Sequence, residues 1–278
     1  MEIGIFSRTF VRPTLGEVLD AVVGHGLHAV QFNLACAGLA EMPDEVPPAL
    51  ITTIREAMAA RGITMAALSG TYNMIHPDLA ARAAGLRQLR VLAAACAGLG
   101  TSVITLCTGT RNTASMWRPH PDNSSPAAWL DLRQALDAAV AIADEYNVTL
   151  AFEPEVSNVL DSAPRSRRML DEVGSPRLKV VMDGANIFHH GELPHMTRIL
   201  TEAFDLLGGD IVLAHAKDLD RDGEAGHVAA GEGLLDYGLY LRLLHASGYD
   251  GPLVLHGLSE AQTPGCIRFL QDQLAQVG

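Results

Sequence analysis

Four short stretches carry the reading: Thr149-Leu-Ala-Phe-Glu153-Pro154-Glu155, Lys179-Val-Val-Met-Asp183-Gly184, Ile211-Val-Leu-Ala-His215-Ala-Lys217-Asp218 and Pro252-Leu-Val-Leu-His256-Gly257. Each is an apolar run too short for a helix and apolar on both faces. That pattern suits a strand of a parallel sheet covered by helices on its outer side. Each run closes on an ionisable residue: Glu153, Asp183, His215 and His256 in turn. A charged group directly after a buried strand is costly unless it is paired or binds a metal.

Working outward, four more such runs precede these, at Ile3–Ser7, Ala29–Asn33, Thr64–Ser69 and Val103–Cys107. The full strand set ends with Thr149–Glu153, Lys179–Asp183, Val212–His215 and Leu253–His256. Helical periodicity fills the gaps at Thr14–Gly24, Pro48–Ala60, Asp78–Leu99, Pro126–Tyr146, Pro164–Val173, Pro194–Leu207, Tyr237–Ala246 and Pro264–Gln276. Several of these begin on a cap residue or a proline, as Thr14, Pro48 and Ser125-Pro126 do. Eight strand–helix units predict an α/β fold closed into a (β/α)8 TIM barrel. A doubly wound open sheet is the competitor, but no G-x-G-x-x-G follows the first strand. With no Pro/Ser/Gly-rich linker, residues 1–278 are expected to form one domain.

Composition narrows the function. The formal net charge of -12 argues against nucleic acid and anionic membranes as partners. No apolar run is long enough to span a bilayer. The four cysteines form no C-x-x-C pair and read as buried, reduced thiols. Met1-Glu2-Ile3-Gly4 runs straight into the first strand without a leader pattern, so a cytoplasmic location is expected.

In a barrel of this kind the strand C-termini converge on one rim, where active sites lie. Two carboxylates and two imidazoles on consecutive strands suit a divalent transition metal. Such an ion polarises a carbonyl or hydroxyl.

The arrangement resembles the xylose-isomerase-like barrel superfamily, the sugar phosphate isomerase/epimerase group. The resemblance covers most of the chain, best from Val103 to Leu258. It rests on Leu150-Ala-Phe-Glu153-Pro154-Glu155, Val180-Val-Met-Asp183, His215-Ala-Lys217-Asp218, Gly231-Glu-Gly233-Leu-Leu-Asp236-Tyr237 and Gly248-Tyr-Asp-Gly251-Pro-Leu-Val-Leu. It implies metal ligation by Glu153, Asp183 and His215, and an acid/base role for Glu153. The position of Arg221 matches a substrate-contacting arginine of the epimerases. The eighth strand of this family usually ends in Glu, as the fourth ligand and second acid/base; here it ends in His256, so His256 is the candidate for both roles. Asn186 stands where many relatives carry histidine. Homo-oligomers are common in the group.

Other rim residues are candidates for substrate contact. After the third strand come Asn73 and His76. After the fourth comes a long loop carrying Arg111, Trp117, Arg118 and His120, and long loops in compact domains are often functional. Lys217 and Arg221 follow the seventh strand, and Asn33 ends the second.

The leading expectation is a metal-dependent isomerase or epimerase of a keto-sugar. It would abstract a proton beside a carbonyl and pass through a metal-stabilised enediolate. One divalent ion per chain is implied, manganese first, with magnesium, cobalt, iron or zinc as alternatives. A lyase or dehydratase acting by β-elimination on a keto-sugar, keto-glycoside or inosose shares the first step. A non-catalytic binding barrel is kept open by His256, and an abasic-site endonuclease is disfavoured by the acidic balance.

Overall fold

The computed structural model describes residues 1–277. Eight parallel strands close into a barrel in sequence order, β1 Ile3–Phe6, β2 Ala29–Phe32, β3 Thr64–Ser69, β4 Val103–Cys107, β5 Thr149–Glu153, β6 Leu178–Asp183, β7 Ile211–Ala216 and β8 Leu253–Leu255. Each is followed by a helix: α1 Leu15–Gly24, α2 Pro48–Ala59, α3 Leu79–Leu99, α4 Pro126–Tyr146, α5 Ala163–Val173, α6 Met196–Leu207, α7 Tyr237–Ala246 and α8 Thr263–Val277. The expected (β/α)8 architecture is therefore the observed one. Thr14 caps α1 through a reciprocal pair with Glu17, and the Ser125 hydroxyl accepts from Ala128 N at the start of α4. One helix begins later than its sequence pattern. Pro194 lies in a 3-10 turn, and α6 proper starts at Met196 because His195 has non-helical dihedrals, φ -106 and ψ 19.

Two packed regions organise the molecule. The large one lies between strands and helices and includes Ile5, Leu19, Phe32, Leu89, Leu136, Phe152, Leu200 and Tyr240, all fully buried. The second fills the barrel interior with small or branched residues: Ala67, Ala151, Val181, Leu213 and Val254. This interior layer positions the site. Side chains on a strand alternate between faces, so the next inward residue is two positions on. Two beyond Ala151, Val181, Leu213 and Val254 stand Glu153, Asp183, His215 and His256. The register keeps them near one level: Asp183 pairs with His215, and β7–β8 pairing runs through Ala216 and Leu255. A hydrophobic floor thus carries a polar layer at the C-terminal end.

Among the described residues, no helix is long and apolar enough to cross a membrane.

Candidate metal and active site

Glu153, Asp183 and His215 each offer a ligand atom, and these atoms lie within 4.8 Å of one another. Their immediate surroundings decide whether a cation fits. His215 Nε2 is 2.8 Å from Gln31 Oε1, an oxygen that can only accept. Nε2 therefore carries the proton, and in the neutral ring Nδ1 presents a lone pair. That lone pair faces Glu153 Oε1 at 3.3 Å and Asp183 Oδ2 at 3.7 Å. Three electron-rich atoms this close repel unless a proton or a metal cation lies among them. The same carboxylates attract a proton to the ring. Burial alone would lower the His215 pKa, but the Glu153 and Asp183 carboxylates outweigh it and raise it to about 9. A divalent ion satisfies the same three atoms. Carboxylate oxygens with an imidazole nitrogen suit zinc, manganese, iron or cobalt.

Asp183 is fully buried. Its Oδ1 accepts from Ala185 N at 2.9 Å. Its Oδ2 has no hydrogen-bond donor: Lys217 Nζ lies 3.2 Å away as an ion pair but is not aligned for a hydrogen bond. Burial works against the Asp183 charge, yet Lys217 and His215 hold its carboxyl well below the usual range. Lys217 is held above its usual value in return, since Asp183, Glu153 and Glu155 outweigh its burial. A charged, buried oxygen facing a histidine nitrogen whose proton a metal ion can replace is a fitting start to a metal ligand set.

Two more polar atoms in this layer are buried without a hydrogen-bond partner among the described residues, Glu155 Oε1 and His256 Nδ1. Burial, then the Glu153 charge, pushes Glu155 up to about 8. Burial, then His215 and Lys217, holds His256 well below the usual histidine value, so its ring is neutral. His256 stacks on His215 with centroids 4.8 Å apart and planes at 8°, and on Phe6 at 5.0 Å. A ring's lone pairs lie in its own plane. Parallel stacking therefore sends the His256 nitrogens alongside His215 rather than toward the point the other three share. His256 is absent from the cluster of mutually close ligand atoms.

Glu153, Glu155, His215, Lys217 and His256 of this layer line a cavity of about 460 Å³, while Asp183 is fully buried and outside its lining. Its lower wall includes Gln31, Thr105, Glu153, Glu155, Asn186, Lys217 and His256. The mouth carries Phe6, Met116, Trp117 and the Arg8–Glu41 ion pair, with Ala225, Gly226 and His227 on one side.

The substrate residues expected from sequence divide sharply. Lys217 and Trp117 line the cavity, and Trp117 is 55% exposed at its mouth. Asn73, His76, Arg111, Arg118, His120 and Arg221 do not line it. Most of these are spent on building loops. Asn73 bonds both the N–H and the carbonyl of Thr110. His76 Nδ1 accepts from Asp78 N. Arg111 is clamped between Asp131 and the Ile75 carbonyl. His120 Nδ1 accepts from Asp122 N, capping a short turn before α4. Arg118 is exposed, and Arg221 pairs with Asp220 and Glu224 in the β7–α7 loop. The long β4–α4 loop thus turns its polar side chains to its own scaffold and its apolar tip, Met116-Trp117, to the cavity. Asn33 lines the cavity, while its Oδ1 accepts from Ala35 N.

Sequence reasoning passed over Gln31. The signal was present as a lone amide inside the apolar strand Ala29-Val30-Gln31-Phe32.

A family model for the xylose isomerase-like TIM barrel matches residues 19–272. Among solved structures, a xylose isomerase domain protein from Planctomyces limnophilus superposes with a TM-score of 0.77 at 17% identity, covering 99% of this chain and 97% of its own. The 3-keto-D-glucoside 4-epimerase of E. coli aligns with a TM-score of 0.71 at 18% identity, covering 100% and 98%. The IOLI protein with a bound zinc atom aligns with a TM-score of 0.75 at 14% identity, covering 100% and 99%. No curated protein matches the chain in sequence. Matching the family model along nearly its whole length, the chain belongs to the xylose isomerase-like TIM barrel family.

Proposed function

We propose that the protein is a divalent-metal-dependent isomerase or epimerase of a small keto-sugar. One observation carries the reading: His215 Nδ1 and the carboxylates of Glu153 and Asp183 converge beside a cavity that His215 and Glu153 line, with Asp183 Oδ2 buried and making no hydrogen bond. The solved structures similar in fold include an epimerase of a keto-glucoside and a zinc-containing barrel, which agrees with it.

Glu153, Asp183 and His215 would hold the ion. When bound, it supplies Lewis-acid stabilisation of negative charge on a substrate oxygen. The chain's own residues supply the rest. Glu153 reaches the cavity from β5, with Oε1 held by Asn186 Nδ2 at 2.5 Å. Fixed in this way, its carboxylate is placed to accept a proton from carbon beside a carbonyl. Lys217 keeps Asp183 ionised, and its ammonium has no lone pair to offer a metal. His256 is neutral, lines the cavity and has an unpaired Nδ1. It stands three strands round the barrel from Glu153, so as a neutral imidazole it can accept a proton on a different side of the cavity. Trp117 and Met116 at the mouth offer an apolar surface to one face of a sugar ring. Manganese, or a neighbour such as zinc, magnesium, cobalt or iron, is the ion proposed.

A second reading is β-elimination from a keto-sugar, keto-glycoside or inosose. The neutral imidazole of His256 favours it, because the N–H of a neutral ring can donate a hydrogen bond to a departing oxygen where a carboxylate would repel it. Mass analysis of products from a panel of keto-sugars and keto-glycosides, with metal-loaded protein, separates the two. Product of unchanged mass supports isomerisation or epimerisation, and loss of water or aglycone supports elimination. Metal-loaded protein that transforms none of the panel contradicts both.

A further inference from the structure

Asn186 has a geometry that the ligand set alone does not account for. It follows β6 and is 1% exposed. Its side-chain nitrogen donates to Glu153 Oε1 at 2.5 Å, and its side-chain oxygen accepts from Gly226 N at 2.9 Å. Its backbone carbonyl accepts from Val156 N at 3.0 Å, tying it to the segment after β5. Gly226 belongs to the β7–α7 loop, residues 217–236, which forms one side of the cavity mouth through Ala225, Gly226 and His227. That loop is itself well built. Asp218 and Val228 exchange two backbone hydrogen bonds, and the Asp218 carboxylate accepts from Leu219, Gly231, Gly233 and Leu235.

The seat of the loop on β6 is tight. A Cβ on Gly226 would stand 2.5 Å from Ala185 Cβ and 2.8 Å from the Asp218 carbonyl oxygen. Only glycine lets the backbone come close enough for its N–H to reach Asn186.

We propose that Asn186 is a positioning residue that couples metal loading at Glu153 to seating of the β7–α7 loop over the cavity. The inference rests on the metal reading above and extends it to the mouth. An amide has one donating end and one accepting end. Glu153 needs the donor and Gly226 N needs the acceptor, so one orientation serves both. Water has little access to so buried a side chain, and losing either partner leaves a polar atom unsatisfied. Each contact therefore favours the other. Such coupling is reciprocal: an ion that fixes Glu153 stabilises the seated loop, and the seated loop strengthens ion binding. Groups behind metal ligands commonly alter metal affinity by about 10–100-fold when replaced.

The test measures Mn2+ affinity by calorimetry and amide exchange of residues 219–228 with and without Mn2+, in the wild type, Asn186→Ala and Gly226→Ala. Exchange in β1–β4 serves as the control for folding. In the wild type, Mn2+ should slow exchange in the loop. Asn186→Ala should weaken Mn2+ binding about tenfold or more and abolish the response of the loop. Gly226→Ala, which touches no proposed ligand, should speed loop exchange and weaken Mn2+ binding by a smaller factor. If wild type binds Mn2+ while both variants match its affinity, or if the loop of Asn186→Ala still responds to the ion, the coupling is overturned and the metal site stands. If the wild type binds neither Mn2+ nor Zn2+, the metal reading falls and the coupling with it.

Discussion

Strand β6 carries a charged residue near each end, Lys179 at its start and Asp183 at its finish, and the two are treated in opposite ways. At the N-terminal end of the barrel, Lys179 Nζ lies 2.6 Å from Asp210 Oδ1, and Arg167 lies 2.7 Å from its Oδ2. Both carboxylate oxygens are paired, and water reaches the group. At the C-terminal end, Asp183 is sealed from solvent, and Oδ2 faces Lys217 Nζ at 3.2 Å and His215 Nδ1 at 3.7 Å without making a hydrogen bond to either. Glu155 and His256 beside it also have unpaired buried atoms. A fold selected only for stability has no use for such a layer, since each unpaired buried group costs about 1–3 kcal/mol. The paired end is satisfied by the protein's own groups, and the unpaired end fits the ligand site proposed above.

The contrast sets an order of expected effects. Glu153→Gln should lower turnover about a thousandfold, in the range general-base loss produces, with the fold intact by circular dichroism. A variant within threefold of wild type would move the base elsewhere. Asp183→Asn should destabilise the metal-free protein by about 3 kcal/mol, because it leaves the Lys217 charge buried beside a neutral amide. Chemical denaturation reads that cost, and an unchanged midpoint would show that Glu153 and Glu155 suffice as partners for Lys217. Trp117→Ala should raise KM about tenfold, equivalent to ~1.4 kcal/mol of binding, and leave metal content untouched. An unchanged KM would put Trp117 outside the substrate's reach.

The smallest effect belongs to the paired end. Burial opposes the Asp210 charge, but hydrogen bonds from Lys179 and Arg167 outweigh it and hold its pKa below the usual carboxylate value. A carboxyl depressed in the folded state contributes stability that is present above its unfolded pKa and is lost as pH falls through the folded one. Asp210→Asn should thus cost about 1 kcal/mol near neutrality and progressively less in acid below the ordinary Asp pKa. Melting curves from pH 7 to pH 2 would check it. A cost that grows toward acid would reverse the sign of the argument.

The difference between the two ends also explains what the sequence disclosed. The barrel was legible because most strands are apolar on both faces and several helices begin at a cap or a proline. Glu153, Asp183 and His215 were legible because each closes an apolar run and matches the family's motif; the structure adds that they stand on the inward face, two residues beyond Ala151, Val181 and Leu213. Proximity to a strand end was a weaker guide for loop residues. Asn73, Arg111 and His120 all follow strands closely, yet their hydrogen bonds go to loop backbone and to Asp131. Sequence shows that such side chains are near the rim but not which way they turn. Gln31 and Asn186 are the converse case. Both are polar residues whose importance depends on partners 184 and 33 residues away in the chain, His215 and Glu153.

The central claim is that the orphaned atoms of the C-terminal layer await a divalent cation. Titration of metal-free protein with Mn2+ and Zn2+, compared with His215→Ala, tests it most directly. The account predicts about one equivalent of tightly bound ion in the wild type and at least a hundredfold weaker binding in the variant, as expected when a ligand rather than a supporting group is removed. Equal binding in both proteins, or none in the wild type, would contradict it.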